Sequence, residues 1–149
     1  MKPVDTIDSV LRLKGRQLWS VPPTATVYEA IVKMSEKGVG ALLVISDGRL
    51  AGIISERDYA RKVILMDRSS KQTLVREIMT SPVVTVTPRH NVEDCMRMMT
   101  ENRVRHLPVL DGDQVMGVVS IGDLVNWIIT AHEETIGHLQ SYIAGNYPG

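Results

Sequence analysis

Two stretches of the chain, Val21–Arg61 and Val86–Asn126, align on each other at a constant offset of 65 residues without a gap. Identical residues fall at Val21/Val86, Pro23/Pro88, Val27/Val92, Met34/Met99, Glu36/Glu101, Val39/Val104, Leu42/Leu107, Val44/Val109, Gly52/Gly117, Ser55/Ser120 and Asp58/Asp123. An internal duplication of this kind organises nearly the whole chain, with each copy one supersecondary unit. At 149 residues the chain has the length of about one average domain. The copies therefore share a core or stand as two very small units.

The pattern within each copy is the same. Val27, Ala30, Ile31 and Met34 recur at the i, i+3, i+4, i+7 spacing of an amphipathic helix, and Val92, Cys95, Met96 and Met99 repeat it. Thr26 and Asn91 stand at the N-cap position. Short β-type segments precede the helices, Trp19-Ser20-Val21 and Val83-Val84-Thr85-Val86, each followed by a proline-containing turn. Behind each helix come two apolar runs separated by Ser46-Asp47-Gly48 or Asp111-Gly112-Asp113, a hairpin signal. A second helix follows in each copy, over about Glu56–Leu65 and, longer, over about Gly122–Ile143. The expected order is strand, helix, strand, strand, helix, twice. A leading helix is expected within Val4–Leu13 and a helical turn at Val75–Met79. The expected division is a leading segment 1–17, a first repeat 18–66, a linker 67–82, a second repeat 83–130 and an extension 131–149.

Charge and cysteine content exclude several classes. Lys and Arg balance Asp and Glu at 17 each. The basic residues Arg57, Arg61, Lys62, Arg68, Lys71 and Arg76 are interleaved with acids, which argues against a phosphate-tracking surface and makes nucleic acid an unlikely partner. A single cysteine, Cys95, rules out an intramolecular disulfide and a CxxC zinc site, and as the counterpart of Ala30 it is expected to be an inert core thiol. No apolar run reaches the roughly 20 residues of a membrane span, and no signal-peptide pattern opens the chain, so the expectation is a soluble cytoplasmic protein without membrane contact. Two motif fragments fail on spacing. His132 and His138 are too far apart for H-E-x-x-H, and Gly38-Val39-Gly40 lacks the third glycine of a dinucleotide fingerprint and follows a helix. Nothing forms a nucleophile with its base, a paired-carboxylate site or a P-loop. The chain is not expected to be an enzyme, and no metal is expected.

Each copy closes on Gly-apolar-apolar-Ser-x-x-Asp: Gly52-Ile53-Ile54-Ser55-Glu56-Arg57-Asp58 and Gly117-Val118-Val119-Ser120-Ile121-Gly122-Asp123. Repeated behind a Val-x-Pro turn, an amphipathic helix and an Asp-Gly hairpin, this resembles the tandem cystathionine-β-synthase domain, the CBS pair or Bateman module, over about residues 18–130. Ser55-Glu56-Arg57-Asp58-Tyr59-Ala60 and Val75-Arg76-Glu77-Ile78-Met79 look like the small free-standing bacterial CBS-pair proteins. The resemblance implies an α+β fold of two repeats packed about a pseudo-twofold axis. It also implies two related clefts that take adenosine compounds such as AMP, ADP, ATP, NAD or S-adenosylmethionine.

By that resemblance Asp58 and Asp123 accept hydrogen bonds from ribose hydroxyls, and Ser55 and Ser120 stand at strand-to-helix junctions whose free N–H groups suit a phosphate. The adenine slot is expected from Pro22, Val27, Gly40 and Ala41 in one copy and Thr87, Val92, Arg105 and His106 in the other, with Ile54 and Val119 beside the serines. Each cleft is expected to combine one repeat's signature with the other's wall. Arg57 and Asp58 would then meet Arg105 and His106 in a cationic cleft suited to several phosphates. Asp123 would meet Gly122, Gly40 and Ala41 in a cleft without side-chain charge. The expected function is a regulatory adenosine-nucleotide sensor acting in trans on an unknown effector protein. The alternatives are a structural or dimerisation module with empty clefts, or a nucleic-acid-binding protein; in the plainest reading the two aspartates are helix N-terminal acids. A homodimer is expected through the last helix, with Leu124, Ile128, Ala131 and Thr135 on one face and Trp127 and Ile136 nearby.

Overall fold

The computed structural model describes residues 5–131. The expectations for Val4, for Thr135 and Ile136, for the 132–138 motif and for the end of the last helix lie outside the described residues.

The leading segment forms α1 (Ile7–Lys14), capped by Thr6, whose hydroxyl accepts from the Ser9 N–H. The first repeat runs β1 (Ser20–Val21), α2 (Val27–Lys37), β2 (Ala41–Ser46), β3 (Arg49–Ser55) and α3 (Glu56–Tyr59), which continues as a wider i→i+5 turn over Ala60–Ile64. Next comes α4 (Val75–Ile78), and the second repeat runs α5 (Val92–Asn102), β4 (His106–Asp111) and β5 (Gln114–Ser120). A final helix, α6, is described over 121–131.

Thr26 and Asn91 cap α2 and α5 as their positions require, each accepting a backbone N–H three residues on. Ala30, Met34, Cys95 and Met99 are all buried, so the helical periodicity does identify the inner faces. Burial pushes the Cys95 thiol up to about 12, with the neighbouring Asp94 charge acting in the same direction.

The hairpins repeat in register as well as in sequence. Ala41↔Ser55 through Ser46↔Arg49 become His106↔Ser120 through Asp111↔Gln114, including the register shift after Val44 and after Val109. Only the tips differ. Asp47 and Gly48 both take positive φ, whereas in the second tip Gly112 alone does, because the glycine has moved one position forward. The first repeat adds β1 parallel to β2. The strand expected over Val83–Val86 is reduced to one bridge, Val86↔Val109, at the position equivalent to Val21↔Val44. Even so, Val86 is fully buried and both its N–H and C=O are bonded to the β4 backbone.

What joins the repeats is a reciprocal exchange that sequence alone does not display. Ile7, Val10 and Leu11 of α1 belong to the core of the second repeat, with Val86, Val92, Cys95, Met99, Leu107, Val109, Val119 and Leu124. Val75 and Ile78 of α4 belong to the core of the first, with Val27, Ala30, Met34, Leu42, Val44 and Ile54. The segment ahead of each repeat thus completes the other. The backbone contacts match: the Ile7 N–H donates to the His90 carbonyl and the Asp8 N–H to Pro88, while the Val75 N–H donates to Ala25 and the Arg76 N–H to Pro23. The stretch expected to be a linker with a helical turn at Val75–Met79 therefore holds the counterpart of α1.

Glycine in each β-hairpin permits this packing. A Cβ on Gly117 would meet Leu11 Cδ2 at 2.8 Å, and one on Gly52 would meet Met79 Sδ at 2.6 Å. Leu11 and Met79 are 68 residues apart, although Gly15 and Thr80, just beyond them, are 65 apart. The leading segment consequently carries three extra residues, Arg12-Leu13-Lys14, which extend its helix by a turn.

The dimer face expected on the last helix is partly occupied within the chain. Leu124 is fully buried in the second core, Ile128 packs against it, and Trp127 Nε1 donates to Asp5 Oδ1 at 3.2 Å. A helix that closes its own repeat turns that stripe inward, and the large exposed apolar residues of α6 are instead Val125 and Ile129.

Two outcomes follow for stability. Leu11→Ala removes a fully buried side chain from the exchanged helix and should cost about 2–5 kcal/mol in urea unfolding, whereas Leu13→Ala, on the exposed face of the same helix, should change the midpoint little. Cys95 should not react with a thiol reagent in the native protein at pH 8, and should react once denaturant unfolds the second core.

Candidate functional site

The signature Ser-x-x-Asp first of all builds a helix start. Ser55 Oγ accepts the Asp58 N–H at 3.2 Å, and Asp58 Oδ2 accepts the Ser55 N–H at 3.0 Å. Ser120 and Asp123 make the same reciprocal pair at 3.1 and 2.8 Å. This is a capping box, so the reading of the aspartates as helix N-terminal acids is realised in the fold. The Glu56 N–H donates to the Gly40 carbonyl and the Ile121 N–H to the Arg105 carbonyl. Those bonds engage first-turn donors expected to be free for a phosphate, and fasten each signature to the opening of a β-hairpin.

The box also aims the carboxylates. Asp58 lines a cleft of about 180 Å³ with Gly40, Ile53, Ser55, Glu56, Arg57 and Thr80 from one side, and Arg103, Val104, Arg105 and His106 from the facing repeat. Asp123 lines a second cleft, of about 340 Å³, with Val118 and Ser120, with Trp19 and the stretch Lys37–Leu43 of the first repeat, and with Lys14 and Gly15 of the exchanged segment. Eight positions of the first cleft recur in the second at the 65-residue offset, among them Ser55/Ser120, Asp58/Asp123, Arg105/Gly40 and His106/Ala41. The expected partnership of one repeat's signature with the other's wall is the arrangement the structure holds.

Several expected residues lie elsewhere. Val27 and Val92 open their helices facing the core, and Ile54 and Val119 are fully buried there. Strand alternation sends Ile53 and Val118, one residue earlier, into the clefts instead. Pro22 is exposed in a groove along α2. Thr87 is tied into its own turn, donating its backbone N–H to His90 Nδ1 at 3.0 Å. Gly122 is exposed on α6 and lines neither cleft.

The charge assignment needs a larger correction. The Asp58 cleft is cationic as expected, through Arg57, Arg103 and Arg105, and Arg57 Nη1 reaches across the repeats to the Arg103 carbonyl at 3.2 Å. Arg103 holds φ 55° at the end of α5, where the first repeat has Gly38, so this guanidinium is kept despite a backbone conformation that glycine suits better. The Asp123 cleft is not free of side-chain charge, because Lys14 and Lys37 line it. Lys14 Nζ lies 2.5 Å from Asp123 Oδ2 and donates to the Val118 carbonyl at 2.8 Å. Lys37 Nζ sits 4.4 Å from the centre of the Trp19 ring, a cation–π contact. The sequence does not single out Lys14 and Lys37, because neither belongs to the signature, and it marks Trp19 only as part of a strand.

Asp58 is itself buried and well partnered: Lys62 Nζ is 3.1 Å and Thr80 Oγ1 3.3 Å from Oδ1. Gly40 and His106 line both clefts and form the wall between them. A Cβ on Gly40 would approach Glu56 Oε1 to 2.9 Å and the His106 ring to 3.8 Å. Burial lowers the His106 pKa; Lys14 and Arg105 lower it further, and Asp123 and Glu56 oppose them. Among the described residues no group of three or more His, Cys, Asp or Glu is placed to hold a metal ion, and no helix is long and apolar enough to cross a membrane.

Two clefts between exchanged repeats, each lined by a capping-box aspartate, are the geometry of a paired-repeat α+β module. The chain belongs to the CBS domain family, whose model matches residues 10–65 and 75–130. It is 44% identical over 152 residues to the mitochondrial CBS domain-containing protein CBSX3 of Arabidopsis thaliana, covering 95% of this chain and 73% of that one. A solved protein with CBS domains from Burkholderia ambifaria MC40-6 is 51% identical, with a TM-score of 0.81 over 84% of this chain and 94% of that one. The fold is also that of a CBS domain pair solved in complex with 5′-methylthioadenosine and S-adenosyl-L-methionine, at 22% identity and a TM-score of 0.73, over 83% of this chain and 94% of that one.

The titration of His106 has a definite sign. Its pKa is depressed in the fold, so below about pH 6.5 the unfolded chain takes up a proton that the native wall resists, and stability falls as pH drops through that window. In His106→Asn this part of the pH dependence should be absent when unfolding free energies at pH 7.5 and 5.5 are compared with the wild type.

Proposed function

We propose that this CBS pair is a sensor of adenosine nucleotides, AMP, ADP, ATP or NAD, that binds them in the Asp58 and Asp123 clefts and modulates an effector protein in trans. The observation that carries the reading is the duplicated arrangement itself: in each cleft a carboxylate stands beside apolar residues and faces cations that belong to another part of the chain. A carboxylate accepts from both ribose hydroxyls more strongly than a neutral group does, and a cation supplies charge-assisted bonds to phosphate. Apolar contact for the base is available at Trp19, Val39 and Val118 in one cleft and at Ile53 and Val104 in the other. The volume of the Asp123 cleft falls in the range of small-molecule sites.

The phosphate is assigned to the cationic side chains rather than to the helix starts, where the fold already uses the N–H groups of Glu56, Asp58, Ile121 and Asp123. Arg57, Arg103 and Arg105 suit a ligand with several phosphates. Because each cleft is walled by both repeats, a ligand that prefers one spacing of the repeats shifts their packing, and regulation needs that differential affinity. We further assign the module to a reducing compartment, the cytoplasm, and to a homodimer that covers exposed apolar residues such as Ile64, Leu65, Val125 and Ile129.

The test is calorimetric titration with AMP, ATP and NAD. Asp58→Asn and Asp123→Asn keep an oxygen for the capping box and lose the charge. Each should weaken its own cleft by about ten- to a hundredfold, the equivalent of the roughly 1.5–3 kcal/mol of a charge-assisted bond. Wild-type affinity in the double variant would remove these aspartates as ribose readers.

A further inference from the structure

The two clefts differ most at the place where the exchanged segments enter them. In the Asp58 cleft Thr80 supplies two bonds: its backbone N–H donates to the Ile53 carbonyl at 2.8 Å, and its hydroxyl to Asp58 Oδ1 at 3.3 Å. In the Asp123 cleft one ammonium meets the equivalent carbonyl and carboxylate: Lys14 Nζ donates to the Val118 carbonyl and to Asp123 Oδ2, the oxygen that also accepts the Ser120 N–H. Lys14 reaches them because α1 carries the extra turn Arg12-Leu13-Lys14, which has no counterpart between Met79 and Thr80. The substitution replaces a neutral, backbone-anchored partner from the exchanged segment by a flexible cation; the cation on Asp58, Lys62, comes instead from the turn that continues α3 and also donates to the Ile78 carbonyl. Lys14 is exposed at the mouth of the cleft, and a second ammonium, Lys37, lines the same cleft.

We propose that Lys14 makes the Asp123 cleft selective for phosphorylated adenosine ligands by holding Asp123 in an internal ion pair that only an anion releases at little cost. The proposal rests on the reading that the clefts bind adenosine compounds. A ribose presented by a neutral nucleoside meets a carboxylate whose charge Lys14 already offsets, and gives Lys14 nothing in return. A 5′-phosphate offers Lys14 and Lys37 a new acceptor, so the ammonium exchanges one anion for another and the carboxylate is freed for the sugar. A cationic adenosine compound is disfavoured twice, by losing Asp123 to Lys14 and by repulsion from both lysines. Flexibility suits lysine to this exchange, because its point charge can swing between acceptors on a long stem.

The experiment is a pair of NMR titrations of the full chain with adenosine and with AMP, following the amides of Gly15 and Ser120 for the Asp123 cleft and those of Thr80 and Ser55 for the Asp58 cleft. In the wild type AMP should bind the Asp123 cleft at least about tenfold more tightly than adenosine, the order expected of one charge-assisted contact. In Lys14→Met that ratio should fall to within about threefold, because adenosine gains as AMP loses, while the ratio at the Asp58 cleft stays unchanged. Lys14→Arg should keep a preference for AMP. Unchanged thermal unfolding of Lys14→Met would show that its helix remains seated; were it to unseat, Lys14→Gln, which keeps a neutral donor, provides the same comparison. An AMP-to-adenosine ratio that survives in both neutral variants overturns the proposal and leaves the adenosine reading standing. Failure of both ligands to shift either set of amides in any variant overturns that reading, and this proposal with it.

Discussion

Neither repeat of this protein closes its own core. The helix ahead of the first repeat is buried in the second, and the helix ahead of the second is buried in the first, through Ile7, Val10 and Leu11 on one side and Val75 and Ile78 on the other. At this chain length a single small repeat buries too little apolar surface to stand alone. Exchange solves that problem for both at once. It also sets the distance between the two hairpins, and hence the existence of clefts between them. Gly52 and Gly117 are needed for the same reason: a methyl group at either would strike the exchanged side chain that crosses it.

The clefts inherit their acid from a local requirement of the backbone. A strand that turns directly into a helix leaves unpaired N–H groups, and the Ser-x-x-Asp box pairs them. Once the carboxylate is placed for that purpose, it lines a cleft whose far wall belongs to the other repeat. Its other partners differ between the two sites. Asp58 is closed in by Thr80 and Lys62, Asp123 by Lys14 alone among the exchanged residues. One additional helical turn in the leading segment is enough to change a hydroxyl partner into an ammonium. His106 and Gly40 stand on the common wall, so what is built on one side is felt by groups on the other: Asp123 and Lys14 from one cleft and Arg105 from the other all act on the His106 charge.

Much of this was legible in the residue order. Helical spacing picked out Ala30, Met34, Cys95 and Met99, the caps at Thr26 and Asn91 were readable, and the Asp-Gly turns marked both hairpins. The pairing of Arg57 and Asp58 with Arg105 and His106 followed from the family resemblance and is present in the fold. Misreadings came where a side chain's direction depends on what lies above it. The family resemblance points to Ile54 and Val119 where their neighbours Ile53 and Val118 line the clefts, and helical spacing puts Leu124 on a dimer face where the second core buries it.

Periodicity, caps and turn residues are local, acting over a few positions along the chain, and for that reason the sequence alone determined the elements, their order and the duplication. The crossing of α1 and α4 to opposite repeats is not local. It depends on which of two nearly equivalent apolar faces each helix meets, and repeats this similar carry no sequence label that tells own from other. The cationic character of the Asp123 cleft is of the same kind. Lys14 precedes Asp123 by 109 residues and belongs to no motif, and only the packing of α1 brings its ammonium to the carboxylate.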